Sequence, residues 1–318
     1  MGIKLTGEDN LPERRNSPAT VSNRKSSKLE DKNWKKFLED AQTLDFQQKE
    51  FSIDFWDHGE PLLHEKAVDY ICKAAEAGIR CDLYTNGLLL DEKSSRRLIE
   101  SGLDALFIRL DALDAETYAK INNTDPKNYE KVISNLDTFL KLKRENNDDD
   151  LFPWYPSVAT IMTLYEDMND QKIEFMKKYN RLNQLRKKFT DQGKETGREN
   201  VNVYAELYKT GKPIEHAVLR EVNSFAGRIP PDEFPDYTPL VRKPCTQLFE
   251  GPYLLASGNY TICRQDIDAE HTFGSTSDDL PTLWRSKALD KIFRTHREED
   301  WSNHPLCTNC LDWYHSYT

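Results

Sequence analysis

From residue 51 onward the apolar positions of this chain switch repeatedly between two periods. Short dense runs carry the β-branched and aromatic residues expected of strands: FSIDF (51–55), IRCDLYT (79–85), ALFIRLDAL (105–113), PSVATIMTL (156–164) and VNVYAEL (201–207). Between them the apolar residues spread to helical spacing, in HEKAVDYICKAAEAG (64–78), DEKSSRRLIESG (91–102), DAETYAKI (114–121), NYEKVISNLDTFLKLKREN (128–146) and QKIEFMKKYNRLNQLRKKF (171–189). Gly78 and Gly102 close the first two of these helices, as glycine does where a helix must end in a left-handed residue. An earlier helix is predicted over 31–44, with Trp34, Phe37, Leu38, Ala41 and Leu44 apolar.

Strand–helix alternation of this kind builds a parallel sheet with right-handed crossovers. The fold class is therefore α/β, with five such strands and room for a sixth nearer the N-terminus, in an open sheet or a partial barrel. Sites in these folds gather at the C-terminal ends of the strands, which puts HGEP (58–61), YTNG (84–87) and RLDA (109–112) on one rim. Charged NNDDD (146–150) and polar TDQGKETGREN (190–200) read as surface breaks, and the Pro-rich stretch 209–244 reads as a connector. The expected division is an N-terminal segment (1–50), an α/β core (51–208), the connector, and a cysteine-containing domain of short strands and Gly turns (245–318).

Composition removes several functions. A formal charge of −10 over 318 residues is the wrong sign for a nucleic-acid or anionic-membrane binder. A mean hydropathy of −0.77 and the lack of any long apolar run argue against a membrane span. The polar first 32 residues have no apolar stretch of the signal-peptide kind, so a reducing, cytoplasmic setting is expected. There, cysteines serve as buried residues or metal ligands rather than disulfides.

The six cysteines fall into two groups. Cys72 is expected in the buried stripe of its helix with Val68, Ile71 and Ala75, and Cys81 on the inward face of its strand; both read as small core residues. The other four follow a ligand pattern: Cys245, twelve residues, Gly258, four residues, Cys263, and a closing Cys307-Thr-Asn-Cys310. A C-x-x-C pair brings two thiolates to one turn, and a hairpin can supply two more. Four thiolates suit zinc or an iron–sulfur cluster, and spacing alone leaves these two level.

The tail resembles a SPASM domain of the single-cluster type. The matching residues are Cys245, Gly258, Cys263, Asp266, Gly274, Trp284, Cys307, Cys310 and Trp313. Residues 51–165 resemble the radical SAM core, with HGEPLL, LYTNGLLL and LFIRLDALDAETYAKI in the family's order. The resemblance implies a partial (β/α)6 TIM-like barrel followed by a small Cys-rich β-hairpin/α domain. It implies one auxiliary [4Fe–4S] cluster on Cys245, Cys263, Cys307 and Cys310, which tips the metal choice toward iron. It also implies S-adenosylmethionine contacts from Gly59, Glu60, Pro61, Thr85, Asn86, Arg109 and Asp111.

One departure stands out. Radical SAM enzymes hold their SAM-cleaving cluster with C-x-x-x-C-x-x-C, and this chain has no cysteine before Cys72. SNRKSSKL (22–29) has the motif's shape with Ser22, Ser26 and Leu29 at the ligand positions, and neither a hydroxyl nor an isobutyl group replaces a soft thiolate on iron. Asp57 also stands where the family usually has glycine before GEP. The reading is a degenerate family member, assisting or derived from enzymes that modify peptides or sugars, with a peptide, a sugar or an active radical SAM enzyme as its partner. The alternatives are an active enzyme whose Cys loop lies outside this sequence, a SAM-binding enzyme of polar chemistry using Asp57, His58, Glu60 or Asp111 as base, and a zinc-stabilised α/β protein. Whether the chain is itself an enzyme stays open, and no catalytic residue is assigned.

Overall fold

The computed structural model describes residues 1–11, 27–43, 52–55, 59–112, 114–146, 159–164, 215–219, 241–249, 251–301, 304–310 and 312–313. The chain forms two compact units: one of Met1–Tyr70, Ala77–Ile79 and Val222–Thr318, the other of Ile71–Glu76 and Arg80–Glu221.

In the first unit, strand β1 (Gly2–Ile3) pairs in parallel with β2 (Ser52–Phe55) on one side and with β7 (Tyr253–Leu254) on the other. Strand β7 continues into an antiparallel meander with β8 (Asn259–Thr261) and β9 (Thr272–Ser275). The cysteine-containing tail thus joins the N-terminal strand edge to edge. Helix α1 (Asp31–Thr43) explains why. It buries Trp34, Phe37 and Ala41 completely, stacks Trp34 on Tyr70 at 4.8 Å, and sets Phe37 6.4 Å from Tyr260 of the tail. Each aromatic side chain buried this way contributes about 2–3 kcal/mol. The polar side of α1 grips the tail as well: Thr276 Oγ1 donates to Asn33 Oδ1 at 2.7 Å and Leu280 N–H to Asp40 Oδ2 at 3.3 Å.

Two glycines of the tail are required by this packing. Gly258 has φ +85°, and a Cβ there would stand 2.6 Å from Asn33 Nδ2. Gly274 would meet Leu283 Cδ1 at 2.3 Å. Leu283 belongs to α6 (Leu280–Trp284), which precedes α7 (Lys287–Arg297) and the short α8 (Pro305–Thr308). Helix α2 (Ala67–Glu76) begins in this unit and ends in the other.

The second unit is a parallel sheet in the order β3 (Arg80–Thr85), β4 (Ala105–Asp111), β5 (Ala159–Leu164), β6 (Glu215–Leu219). Helices α3 (Glu92–Glu100), α4 (Ala115–Asn122) and α5 (Lys127–Asn146) lie in the connections. Asp91 and Asp114 cap α3 and α4, accepting from Ser94 N–H and Thr117 N–H, both at 2.8 Å, and so satisfy donors that a helix start leaves open. Gly102, at φ +80°, closes α3 as expected.

Two sequence expectations change. Cys72 is half-buried: the buried face of α2 runs through Ala67, Val68, Tyr70, Ile71 and Ala74, so Val68 and Ile71 of the expected stripe are buried while Cys72 and Ala75 lie at its margin. The 209–244 stretch holds a strand, β6, whose five residues EHAVL are too short and too polar to reveal a strand period. The predicted helix 171–189 and strand 201–207 lie outside the described residues, as do Asp57, His58, Ser22 and Ser26.

Candidate functional site

The four C-terminal cysteines are brought to one place in the first unit. Cys245 and Cys263 pack on an apolar cluster of Leu248, Ile262, Leu289 and Ile292, with Phe273, Trp284 and Phe293 beside them. Cys307 ends the last turn of α8, and Cys310 N–H donates to Cys307 O at 3.2 Å, which folds the C-x-x-C pair into one turn. Asp312 N–H points at Cys310 Sγ at 3.3 Å.

The thiols act on one another electrostatically. Burial, then the neighbouring Cys310, Cys245 and Cys307, push the Cys263 thiol well above its ordinary pKa. Burial and Cys245 raise Cys307 to about 11, against the pull of Arg242. Cys310 is raised by burial and by Asp312. Cys263, Cys307 and Cys310 thus resist ionisation, and a bound metal centre supplies the positive charge that favours their thiolates. Among the described residues no group of three or more His, Cys, Asp or Glu side chains is set to hold a single metal ion. Thiolates are the donors that iron–sulfur clusters take, and the four cysteines supply that donor set.

The loops that carry these cysteines are tied from outside. Asp266, two residues after the strand-end loop begins at Arg264, accepts from Thr261 Oγ1 (2.8 Å), Glu270 N–H (2.8 Å) and His271 N–H (3.0 Å). His296 of α7, 1% exposed, accepts on Nδ1 from Cys245 N–H and from Trp301 Nε1, both at 3.3 Å. Burial and the charge of Arg242 lower its pKa to about 4. Sequence reasoning missed Arg242, His296 and Trp301. A histidine on the Leu289–Ile292 face of an amphipathic helix and the Arg242-Lys243 pair just before Cys245 were the signals available.

The residues expected to contact SAM sit in tight turns or at the end of β4. In the first unit Gly59, at φ +149°, approaches backbone so closely that a Cβ would stand 2.3 Å from Thr6 O. Glu60, 2% exposed, caps the one-turn helix Pro61–Leu63 by accepting from Leu62 N–H at 3.1 Å, while its own N–H donates to Glu8 O at 2.8 Å. His64 accepts from Lys66 N–H on Nδ1 at 3.2 Å, so its Nε2 carries the proton and donates to Leu29 O at 2.9 Å. Leu29 itself is buried at 2% exposure.

In the second unit Thr85 and Asn86 leave β3 beside Arg109 of β4, since Thr85 pairs with Ile108. Thr85 Oγ1 accepts from Gly87 N–H (3.2 Å) and Asn86 Oδ1 from Leu88 N–H (3.1 Å), and Asn135 reaches across to Gly87 O (2.8 Å). Arg109 pairs with Asp111 at 3.3 Å, both almost fully buried. Asp111 has φ +63° at a register break of β4, a strained conformation for a non-glycine residue of the kind found at functional sites. The structure brings Thr85, Asn86, Arg109 and Asp111 to one strand edge within this unit, and places Gly59, Glu60 and Pro61 in the other.

Comparison with known proteins agrees with both regions. The radical SAM superfamily model matches residues 22–179, and that of the SPASM domain, an iron–sulfur cluster-binding domain, matches residues 245–311 with all four C-terminal cysteines inside. The chain belongs to the radical SAM superfamily. Among curated relatives of this radical SAM protein, a GTP 3',8-cyclase of Limosilactobacillus fermentum is 34% identical over 144 residues, 41% of each chain. An uncharacterized protein of Methanocaldococcus jannaschii is 35% identical over 103 residues, 31% of each. The chain spans less than half the length of these relatives. Among solved structures, BtrN in complex with AdoMet and 2-DOIA superposes with a TM-score of 0.56 at 16% identity, covering 97% of this chain and 91% of that one. That likeness shows the fold: an α/β core of the partial-barrel class with a small cysteine domain after it. No described helix is long and apolar enough to cross a membrane.

Proposed function

We propose that this radical SAM/SPASM protein holds one auxiliary [4Fe–4S] cluster on Cys245, Cys263, Cys307 and Cys310 and has lost the ligands of the SAM-cleaving cluster. It then serves as a substrate-binding or electron-relaying protein, or as the partner of an active enzyme, in the modification of a peptide or a sugar. The observation that carries the reading is the contrast in thiols. Four converge in the tail, while the radical SAM match opens at residue 22 on SNRKSSKL, which has serine or leucine at each ligand position.

When bound, the cluster supplies one-electron chemistry. The chain's own residues prepare for it. The apolar cluster around Cys245 and Cys263 excludes water, Asp312 N–H donates to Cys310 Sγ, and Asp266 fixes the loop after Cys263. Loading the site displaces protons from thiols whose pKa is raised, so cluster assembly is favoured by higher pH. In this proposal Gly59, Glu60, Pro61, Thr85, Asn86, Arg109 and Asp111 are each kept as SAM-contacting residues.

The upkeep of these local conformations favours a second reading, an active enzyme whose Cys loop is supplied outside these residues. The strained Asp111 and the close approach at Gly59 are costs that disused residues would shed. One experiment separates the readings. After anaerobic reconstitution, iron, sulfide and zinc are counted, and SAM is added with strong reductant. About four irons and four sulfides per chain without 5′-deoxyadenosine supports the first reading. Catalytic 5′-deoxyadenosine sinks it in favour of the second, and one zinc without iron retires both.

A further inference from the structure

The residues that tie the cysteine loops together form a connected network. Arg242 Nη2 donates to Cys307 O at 2.5 Å and Nη1 to Thr308 O at 3.4 Å. Its guanidinium carbon lies 4.4 Å from the centre of the Trp301 ring, a cation–π contact that covers one face of the charge. Trp301 donates to His296 Nδ1, which also receives Cys245 N–H. Contacts therefore run from the backbone of the first cysteine, through His296, Trp301 and Arg242, to the carbonyl of the third.

Two donors of this network are left over. Arg242 Nε and His296 Nε2 are buried and have no acceptor among the described residues. Because Nδ1 of His296 accepts twice, the neutral ring carries its proton on Nε2. A buried N–H without an acceptor is costly, and a centre built of thiolates and sulfides is rich in acceptors. The charges around the thiols otherwise include Asp266 and Asp312, both of which disfavour further negative charge there.

We propose that Arg242 is a positioning residue for the auxiliary cluster, holding the Cys307–Cys310 turn and raising the cluster's reduction potential through its fixed charge. The inference rests on the four-cysteine reading above. One-electron reduction adds one negative charge to the cluster, with no bond made or broken, and a guanidinium held beside Cys307 stabilises the reduced form more than the oxidised one. Stacking on Trp301 and the paired carbonyls keep the cation in place. A raised potential makes the cluster a better electron acceptor, in line with a relaying role.

The test uses the full chain, reconstituted anaerobically and titrated with dithionite as electron donor, the reduced cluster being followed by electron paramagnetic resonance. Arg242→Gln is expected to keep iron close to the parent and to move the midpoint to more negative potential. Arg242→Lys, which keeps the charge, is expected to restore most of that shift. An unmoved midpoint in Arg242→Gln, an equal shift in Arg242→Lys, or loss of iron from both variants overturns the proposal. A parent chain that takes up no iron overturns the four-cysteine reading itself, whereas a loaded parent with an unmoved midpoint sinks this inference alone.

Discussion

Two stretches of this chain stand where the family places iron, and they differ in the chemistry they offer. The tail presents four thiols, two of them against an apolar wall and three raised by burial and by neighbouring charge, with hydrogen-bond donors left over nearby. The stretch 22–29 presents two serines and Leu29, whose side chain is buried and whose backbone is already engaged: its N–H donates to Leu5 O and its carbonyl accepts from His64. The first set offers soft donors that suit iron, and the second offers hydroxyl and hydrocarbon groups that do not. Under the proposed function, the fold keeps one metal centre and abandons another, because each depends on a handful of local donors rather than on the scaffold.

The sharpest way to break this contrast is to swap the chemistry. Restoring the motif with Ser22→Cys, Ser26→Cys and Leu29→Cys is expected to double the iron, from about four to about eight per chain, and to switch on SAM cleavage. Iron that stays near four in a folded triple variant would mean that SNRKSSKL is an ordinary loop. Conversely, Cys263→Ser should drop iron from about four to below one, since three thiolates leave the cluster open, while Cys81→Ser leaves the count unchanged. Equal behaviour of the two single variants would refute the ligand assignment.

The two regions also differ in how much of them the sequence revealed. The parallel order of β3, β4 and β5, the helix ends at Gly78 and Gly102, and the grouping of Thr85, Asn86, Arg109 and Asp111 at one strand edge all follow from local period and turn chemistry. The four cysteines were legible from spacing. What holds them was not. Arg242 reaches Cys307 across 65 residues and His296 reaches Cys245 across 51, contacts that leave no periodic trace. The union of the tail with β1 and α1 was hidden for the same reason. Trp34 and Phe37 announce that α1 buries one face, but nothing local says that the partner is Tyr260.

Backbone substitutions give smaller effects that test whether the SAM-side turn is still load-sharing with the rest of its unit. Gly59→Ala places a methyl group 2.3 Å from Thr6 O and 2.9 Å from Glu8 O, at a φ that alanine rarely adopts. Glu8 O cannot give way without disturbing Glu60 N–H, which donates to it. A loss of about 2–4 kcal/mol is expected, read as a lower urea midpoint. A loss within about 0.5 kcal/mol would show that this turn has relaxed, and would strengthen the view that it has fallen out of use.

The smallest expected effect lies in the other unit. Asp91 caps α3 through Ser94 N–H at 2.8 Å, and its carboxyl is held below its usual pKa first by that backbone hydrogen bond. Asp91→Ala leaves one helix-start donor without its side-chain acceptor and should cost about 1 kcal/mol. Because the ionised form is the one that caps, the stabilisation is present above the unfolded carboxyl's pKa and fades as pH falls through the lowered folded value. The gap between parent and variant in urea midpoint should thus narrow on acidification, and a gap that ignores pH would show that the cap acts through packing instead. Iron content should stay at the parent level at neutral pH, since α3 and the four cysteines belong to different compact units. Iron lost together with this cap would mean that the metal site depends on the whole chain, and the proposed contrast between a tail site held within its own unit and a cysteine-free stretch 22–29 would have to be given up.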